Sequence, residues 1–417
     1  MAILFLFLFP VFLSCGGSKS VKEDEPWKDH HLKSIRKFLL KQSAGGHVRS
    51  FYIPECDPLS LPTSRVQKRV YAYDAALTSI ALTLLGESET SEKILDKLGQ
   101  RITPEGVVEF SYDVERGFLG RWYARTGSLA WVGYAFLYSG ELFMPNKIFS
   151  FLKTLQVNTA NGFSKDDPRY GLILGGLGNF EGDSFQEGPV EWVSTRHNIE
   201  VYYFLKLFIQ TLGASDFSTE EPNRMLKEVG SAIMERCWIN NPGRFVRGLD
   251  KEGIDEELAL SDQVIGALFL ISQGLENEAL RMVGNVRSGF MVEGFSIKKE
   301  TRNADVLNCQ YESKETFSGL KPYLNSGEFQ DPPELIWVEG TFLYLMVAQR
   351  LGLEENELKA SMDRLGKVTD KGGFLYSTRT RKTRPYEFHT WESVAASAWA
   401  VLFAMDQSLP IERKIFY

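Results

Sequence analysis

Very little in this chain points to a metal, a nucleotide or a nucleic acid. There are only four cysteines in 417 residues. Setting Cys15 aside, Cys56, Cys237 and Cys309 form no CxxC pair and have no paired histidine, so neither a zinc site nor a disulfide scaffold is indicated. Three buried thiols, or one disulfide with a thiol left over, both fit that odd set. The glycine-rich run GLILGGLG from Gly171 lacks a Walker lysine and a strand–glycine–helix setting, which removes a nucleotide-binding loop. Basic excess is missing too: 47 Lys and Arg against 54 Asp and Glu leave a formal charge of −7 and a pI near 5.5. That balance argues against a nucleic-acid partner. No cofactor, metal or obligate protein partner is called for. What is present is apolar material, 43% hydrophobic and 13% aromatic, enough to bury one large core or the cores of two or three ordinary domains.

The first residues, MAILFLFLFPVFLSCGGSKS, form an apolar run of about 14 residues, short for a spanning helix. A small residue precedes Cys15 and a flexible polar stretch follows it. This resembles a bacterial lipoprotein signal peptide with its lipobox. The resemblance implies that 1–14 is removed, that Cys15 is lipidated and 15–26 is a linker, and that the protein sits in the cell envelope, facing the periplasm or the surface. Residues 27–417 then form a single domain.

Along that domain two kinds of helix alternate. Apolar segments with no broad polar face begin at Tyr71 (YAYDAALTSIALTLLG), Arg125 (RTGSLAWVGYAFLYSG), Thr195 with Ser194 or Thr195 as N-cap, Ala259 (ALSDQVIGALFLISQG), Pro333 (PELIWVEGTFLYLMVAQRLG) and His389 (HTWESVAASAWAVLFAM). Such helices need protein on every side. Between them lie one-sided helices such as SEKILDKLGQRI, with Ile94, Leu95, Leu98 and Ile102 on one stripe. Six inner and six outer helices recur at intervals of roughly 55 to 75 residues. Inner-to-outer links are short. Outer-to-inner links run to about 20 to 45 residues, a length that usually marks function. If the inner helices run parallel, the long loops, with short β-hairpins in them, share one face with six positive helix ends. The pattern, over about residues 27–406, resembles the all-α (α/α)6 toroid of the six-hairpin glycosidase superfamily. That resemblance implies a carbohydrate-active protein whose partner is an oligo- or polysaccharide.

Hydrolysis of a glycosidic bond needs one protonated acid and one carboxylate, and aromatic faces suit the apolar faces of sugars. The first turns of the inner helices supply both. Glu339, nearly alone among apolar neighbours in WVEGTFLYLMVA, is the candidate general acid, because desolvation raises a carboxyl pKa. Asp74 is the candidate opposing base, and Asp262, Glu200 and His197 complete the catalytic candidates. Tyr73, Trp131, Trp192, Arg196, Asn198, Trp337, His389, Trp391 and Glu392 are candidates for binding sugar. Each has a structural alternative: Arg196 and Glu200, four apart, suit an ion pair, Asp262 suits a helix cap, and a buried histidine is commonly satisfied by hydrogen bonds alone. Among loop residues, Asp113, Glu181, Asp183 and Glu187 are within reach of such a face, and Arg379 to Arg384 form a basic hairpin. A non-catalytic glycan-binding or structural lipoprotein, or a lyase or epimerase on acidic sugar, are the alternatives to a hydrolase. The lipobox reading predicts that cells fed labelled palmitate mark the wild-type protein and not Cys15→Ser; equal labelling of both would remove it.

Overall fold

The computed structural model describes residues 26–61, 64, 66–115, 117, 122–181, 184–215, 218–297, 311–327, 331–382 and 387–417. Cys15, Asp183, Cys309 and Arg384 lie outside them. The fold is an (α/α)6 toroid. Six inner helices, α2 (Ala72–Leu84), α4 (Thr126–Tyr138), α6 (Thr195–Gly213), α8 (Leu260–Ser272), α10 (Val338–Arg350) and α12 (Val394–Asp406), pack each against the next, and α12 returns to α2. Outside them run α1 (Pro26–Gln42), α3 (Ser88–Gly99), α5 (Phe143–Thr154), α7 (Glu220–Ala232), α9 (Glu276–Phe290) and α11 (Asn356–Gly366).

Sequence pattern and burial agree. In α4 every residue from Thr126 to Leu137 is buried, whereas α3 buries one stripe, Ser91, Ile94, Leu95 and Leu98. One pair departs from simple layering: the strand 316–320 wedges between α10 and α11. There the Ser318 N–H donates to Ser361 Oγ at 2.7 Å, and the Leu320 N–H donates to Thr341 Oγ1 at 3.0 Å.

The long loops do share one face, and a repeated backbone device ties them there. The first N–H of each inner helix donates to a carbonyl of the next long loop around the ring: Ala72 to Phe110, Thr126 to Gly175, Thr195 to Arg247, Leu260 to Pro322, Val338 to Tyr376 and Val394 to Ser50, at 2.8–3.3 Å. The residues just before each helix also pair with that next loop, in short antiparallel strands or single bridges. Residues 69–71 pair with 111–113, 193–194 with 248–249, and 392–393 with 51–52, which closes the circle. Helix N–H groups that would otherwise be buried without partners are thereby satisfied.

A second device acts within four of the six units, at the fourth residue of α6, α8, α10 and α12. Asn198 accepts from the Ile173 N–H at 2.7 Å and donates to the Ile173 carbonyl at 3.1 Å; Gln263 does the same for Phe245 at 3.0 and 2.8 Å. Thr341 and Ser397 accept from Leu320 and Phe374. Asn198 is fully buried, and its remaining amide hydrogen goes to the Ser194 carbonyl. The expectation that Asn198 binds sugar is therefore corrected: it clamps its own loop, and no amide atom is left for a ligand.

Two helices begin later than their sequence pattern suggests, α10 at Val338 and α12 at Val394. Trp337 and Glu392 precede them as extended residues whose backbones pair with neighbouring loops. The cysteines follow the second alternative: Cys56 is disulfide-bonded and Cys237 is a buried free thiol. Since Asn198→Ala leaves two buried backbone groups of Ile173 without partners, it is expected to lower stability by about 1–3 kcal/mol per unmet group, read as the midpoint of urea unfolding. An unchanged midpoint would show the clamp to be dispensable.

Candidate active site

Because i and i+4 on a helix lie on one face, the second and sixth residues of the parallel inner helices form two stacked layers toward the ring axis. The second-residue layer supplies Tyr73, Arg196 and Glu339; the sixth-residue layer supplies Trp131, Glu200 and Trp399. They interlock. Arg196 Nε donates to Glu200 Oε1 at 2.9 Å, and Arg196 Nη2 lies 4.0 Å from Glu339 Oε1. Tyr73 donates its hydroxyl to Glu339 Oε1 at 2.8 Å and accepts from Trp399 Nε1 at 2.8 Å. Trp131 Nε1 donates to Glu200 Oε1 at 2.9 Å. Each indole thus fixes one glutamate, Trp131 directly and Trp399 through Tyr73. Gly127, the second residue of α4, leaves the room: a Cβ there would lie 2.4 Å from both Glu200 Oε2 and His197 Cδ2.

Below this layer the far mouth of the ring is filled. The Phe416 ring, 3% exposed, lies 5.2 Å from that of Trp131 and 4.7 Å from that of Tyr203. Arg350, paired with Asp406 at 2.6 Å, holds the Ile415 and Phe416 carbonyls at 2.6 and 2.9 Å. Among the described residues Phe416 closes that end, and on the loop side the Arg196 side chain keeps 21% of its surface exposed while Glu200 keeps 3%.

Burial sets the electrostatics. Desolvation raises Asp74 to about 7, with nearby Glu339 adding to the rise and the adjacent Ser50 hydroxyl opposing it. Asp262 is raised by burial to about 7 against the charge and backbone N–H of Arg196. Glu339 is raised by burial, while Arg196 and Tyr73 pull it back. For Arg196, burial works against its charge, but Glu200, Tyr73 and Glu339 outweigh it and hold the guanidinium above the ordinary arginine value. His197 is lowered to about 3 by burial and by Arg196 and Arg125, and its Nδ1 finds no partner. It is a neutral imidazole at physiological pH.

The remaining candidates divide. Trp192 stands over this face, with its ring centroid 6.0 Å from that of His197 and 5.4 Å from the Arg125 guanidinium carbon. Trp337 is partly buried and packs over Gly340, with its indole N–H unpartnered. Three expectations are corrected. Glu392 has no exposed surface and accepts from the Tyr311 hydroxyl at 2.6 Å and from the Lys371 and Gly373 N–H groups at 3.1 and 2.8 Å, so it ties loops together away from the axis. Trp391 is buried, donates to Asp57 at 2.9 Å and stacks on His389 at 3.6 Å, whose Nε2 lies 3.0 Å from Glu387. Trp131 touches Glu200 and not the open side. Asp262 acts as a cap, as its sequence position allowed, but for its neighbour: it accepts from the N–H of Arg196 on α6. The Ser194 hydroxyl caps α6 itself, accepting from the His197 N–H at 3.3 Å.

Trp399 and Phe416 were not among the sequence candidates. Trp399 had a signal: it is a lone indole among alanines and serines at the same helical position as Trp131. Phe416 had none, since nothing in its local sequence says that it turns back into the ring.

No family and no curated protein matches the sequence. Solved structures match in fold. A GH63 mannosylglycerate hydrolase from Thermus thermophilus in complex with glucose superposes with a TM-score of 0.55 at 10% identity, covering 90% of this chain and 99% of that one. The chain shares its (α/α)6 toroid with these structures. A D-mannose isomerase (TM-score 0.60, 9% identity, 94% and 100% covered) and a novel alpha-amylase from Clostridium perfringens (0.56, 11%, 90% and 96%) share the toroid.

The raised carboxyls make a signed prediction. Asp74 and Asp262 hold their protons more tightly folded than unfolded, so each contributes stability that is full below 3.8 and lost as pH climbs through about 7. His197 works the other way: its contribution is present above 6.5 and lost as pH falls toward 3. Asp74→Asn removes one titration only. Its thermal midpoint is expected to rise relative to wild type between those pH limits, and a difference independent of pH would contradict the assigned burial of Asp74.

Proposed function

We propose that this protein is a glycoside hydrolase acting on an oligo- or polysaccharide, held at the cell envelope by a lipid on Cys15. The observation that carries the reading is an unequal pair of buried carboxyls: Glu339 at the ring axis, and Asp74, next in sequence to the axis residue Tyr73 and near enough to Glu339 for their charges to interact. Glu339 accepts the Tyr73 hydroxyl at 2.8 Å and faces Arg196 at 4.0 Å, contacts that favour a carboxylate. Asp74, whose nearest charged influence is Glu339 itself, titrates at about 7 and carries a proton part of the time at neutral pH. Burial raises both carboxyls, but only Glu339 has a cation opposing the rise, and an inequality of this kind is what acid and base roles need. The roles are the reverse of the sequence expectation: Asp74 donates its proton to the leaving oxygen, and Glu339 acts as the base or stabilises the developing positive charge. Arg196 and Tyr73 orient Glu339, and the indoles of Trp131 and Trp399 hold that cluster rigid. The fold neighbours described as a mannosylglycerate hydrolase and an alpha-amylase support this class of reaction.

The D-mannose isomerase among the neighbours favours a second reading, in which a base moves a proton on a free sugar. His197 is the histidine placed for it, but a group lowered to about 3 is a weak base at neutral pH, so hydrolysis is preferred. Glu339→Gln and Asp74→Asn are each expected to cut release of reducing ends from neutral oligosaccharides by about 10²–10⁴-fold, with His197→Gln changing it less. Full activity in Glu339→Gln would sink the assignment; conversion of mannose without hydrolysis would move it to the isomerase.

A further inference from the structure

Residues 176–181 and 184–189 form an antiparallel hairpin that springs from the strand leading into α4, with Ala124 opposite Leu177, and returns to the start of α6. It stands on the loop face, and its outer strand is largely exposed. Large aromatic side chains collect at its flank. Phe180 is 53% exposed and Trp122 44% exposed. The Phe180 ring lies 5.0 Å from that of Phe185 and 5.6 Å from that of Tyr123. Exposed apolar groups scattered singly need no explanation, but a contiguous group on one functional face does.

The cluster also leads somewhere. The Arg125 guanidinium lies 4.0 Å from the centre of the Tyr123 ring and 5.4 Å from that of Trp192, and Trp192 lies 6.0 Å from His197, the neighbour of Arg196. This is a series of flat groups from Phe180 through Tyr123, Arg125 and Trp192 to His197, next in sequence to the axis residue Arg196. Arg125 is not a free cation within it: it is buried and donates to the Ala124 and Gly178 carbonyls at 3.0 and 2.7 Å, which pins the hairpin to the rim. Gly178 has φ +69° and passes so close to the Trp122 carbonyl that a Cβ would lie 2.4 Å from it, so the hairpin and Trp122 are held together. The only carboxylate on the outer strand is Glu187, the strand carries no lysine or arginine, and the chain is net negative.

From this continuity we infer that Trp122 and Phe180 form a remote subsite for an uncharged oligosaccharide chain, whose far sugars stack on these rings while its end reaches the carboxylates. The inference rests on the hydrolase reading and sharpens it: the substrate is an extended neutral glycan and not a disaccharide or an acidic sugar. Stacking favours flat aromatic faces against the C–H faces of pyranose rings. The uncompensated negative charge disfavours uronates.

The test is calorimetric titration of the full chain with α-linked gluco- and manno-oligosaccharides from disaccharide to hexasaccharide, with hydrolysis of the disaccharides followed separately. Wild type is expected to bind the longest member of the accepted series at least about tenfold more tightly than the disaccharide. The double variant Trp122→Ala, Phe180→Ala is expected to lose that increment with an unchanged unfolding midpoint. Phe143→Ala, which removes an exposed ring at the opposite face, is expected to keep it. Affinity independent of length, no binding of any member, or a double variant that matches wild type would overturn the subsite. Disaccharide turnover surviving such a result would leave the hydrolase reading standing. A length increment without turnover of any member would instead leave the subsite and remove the hydrolase.

Discussion

Six helices buried on all sides present six sets of backbone N–H groups that water cannot reach, and the rest of the architecture depends on where those hydrogens go. The answer is the same at every position: the carbonyl of the next long loop takes the first N–H of each inner helix. A loop that must cap the neighbouring helix cannot wander. The device thus converts a cost of burial into a rigid rim, and it explains why loops of this length carry short strands and clamps instead of loose coil. Since the last helix is capped by Ser50, from the loop that precedes the first inner helix, closure of the ring and satisfaction of its backbone are one event.

The same burial sets the electrostatics of the candidate site. A guanidinium and two glutamates are withdrawn from water at the ring axis, and two aspartates at the starts of the inner helices, where a charge survives only if partners replace its hydration. Arg196 takes Glu200 outright and Glu339 at longer range, which leaves Asp74 and Asp262 to answer desolvation by holding protons. The two indole donors and Tyr73 keep the glutamates from relaxing toward Arg196 in other geometries. Phe416 supports both indoles from the closed side of the ring, so a residue far along the chain and remote from any carboxylate helps to shape the site.

Much of the fold was legible because its signal is local. An apolar run without a polar face, followed by a short link and a striped helix, is written in consecutive residues, and α4 and α3 behave as their patterns require. The starts of α10 and α12 were misplaced for a physical reason: WVEG and WESV look helical in composition, while strand pairing with a neighbouring loop holds Trp337 and Glu392 extended. Asn198, Glu392 and Trp391 sit in the turns from which sugar contacts were expected, yet each is used up by partners distant in sequence: Ile173, Tyr311 and Asp57. Residue type and position along a helix do not reveal such prior claims.

By itself, then, the sequence determined the alternation of encircled and one-sided helices, the side on which the long loops gather, and the crowding of carboxylates and aromatics at the inner-helix starts. Those follow from hydrophobic periodicity and link length, which need only neighbours in the chain. Tertiary structure alone decided which carboxyls burial pushes up, which polar side chain is a clamp, and that Trp399 and Phe416 pack around the candidate site. Protonation and hydrogen-bond partnership depend on what arrives from other units of the ring, and desolvation exists only once the ring has closed.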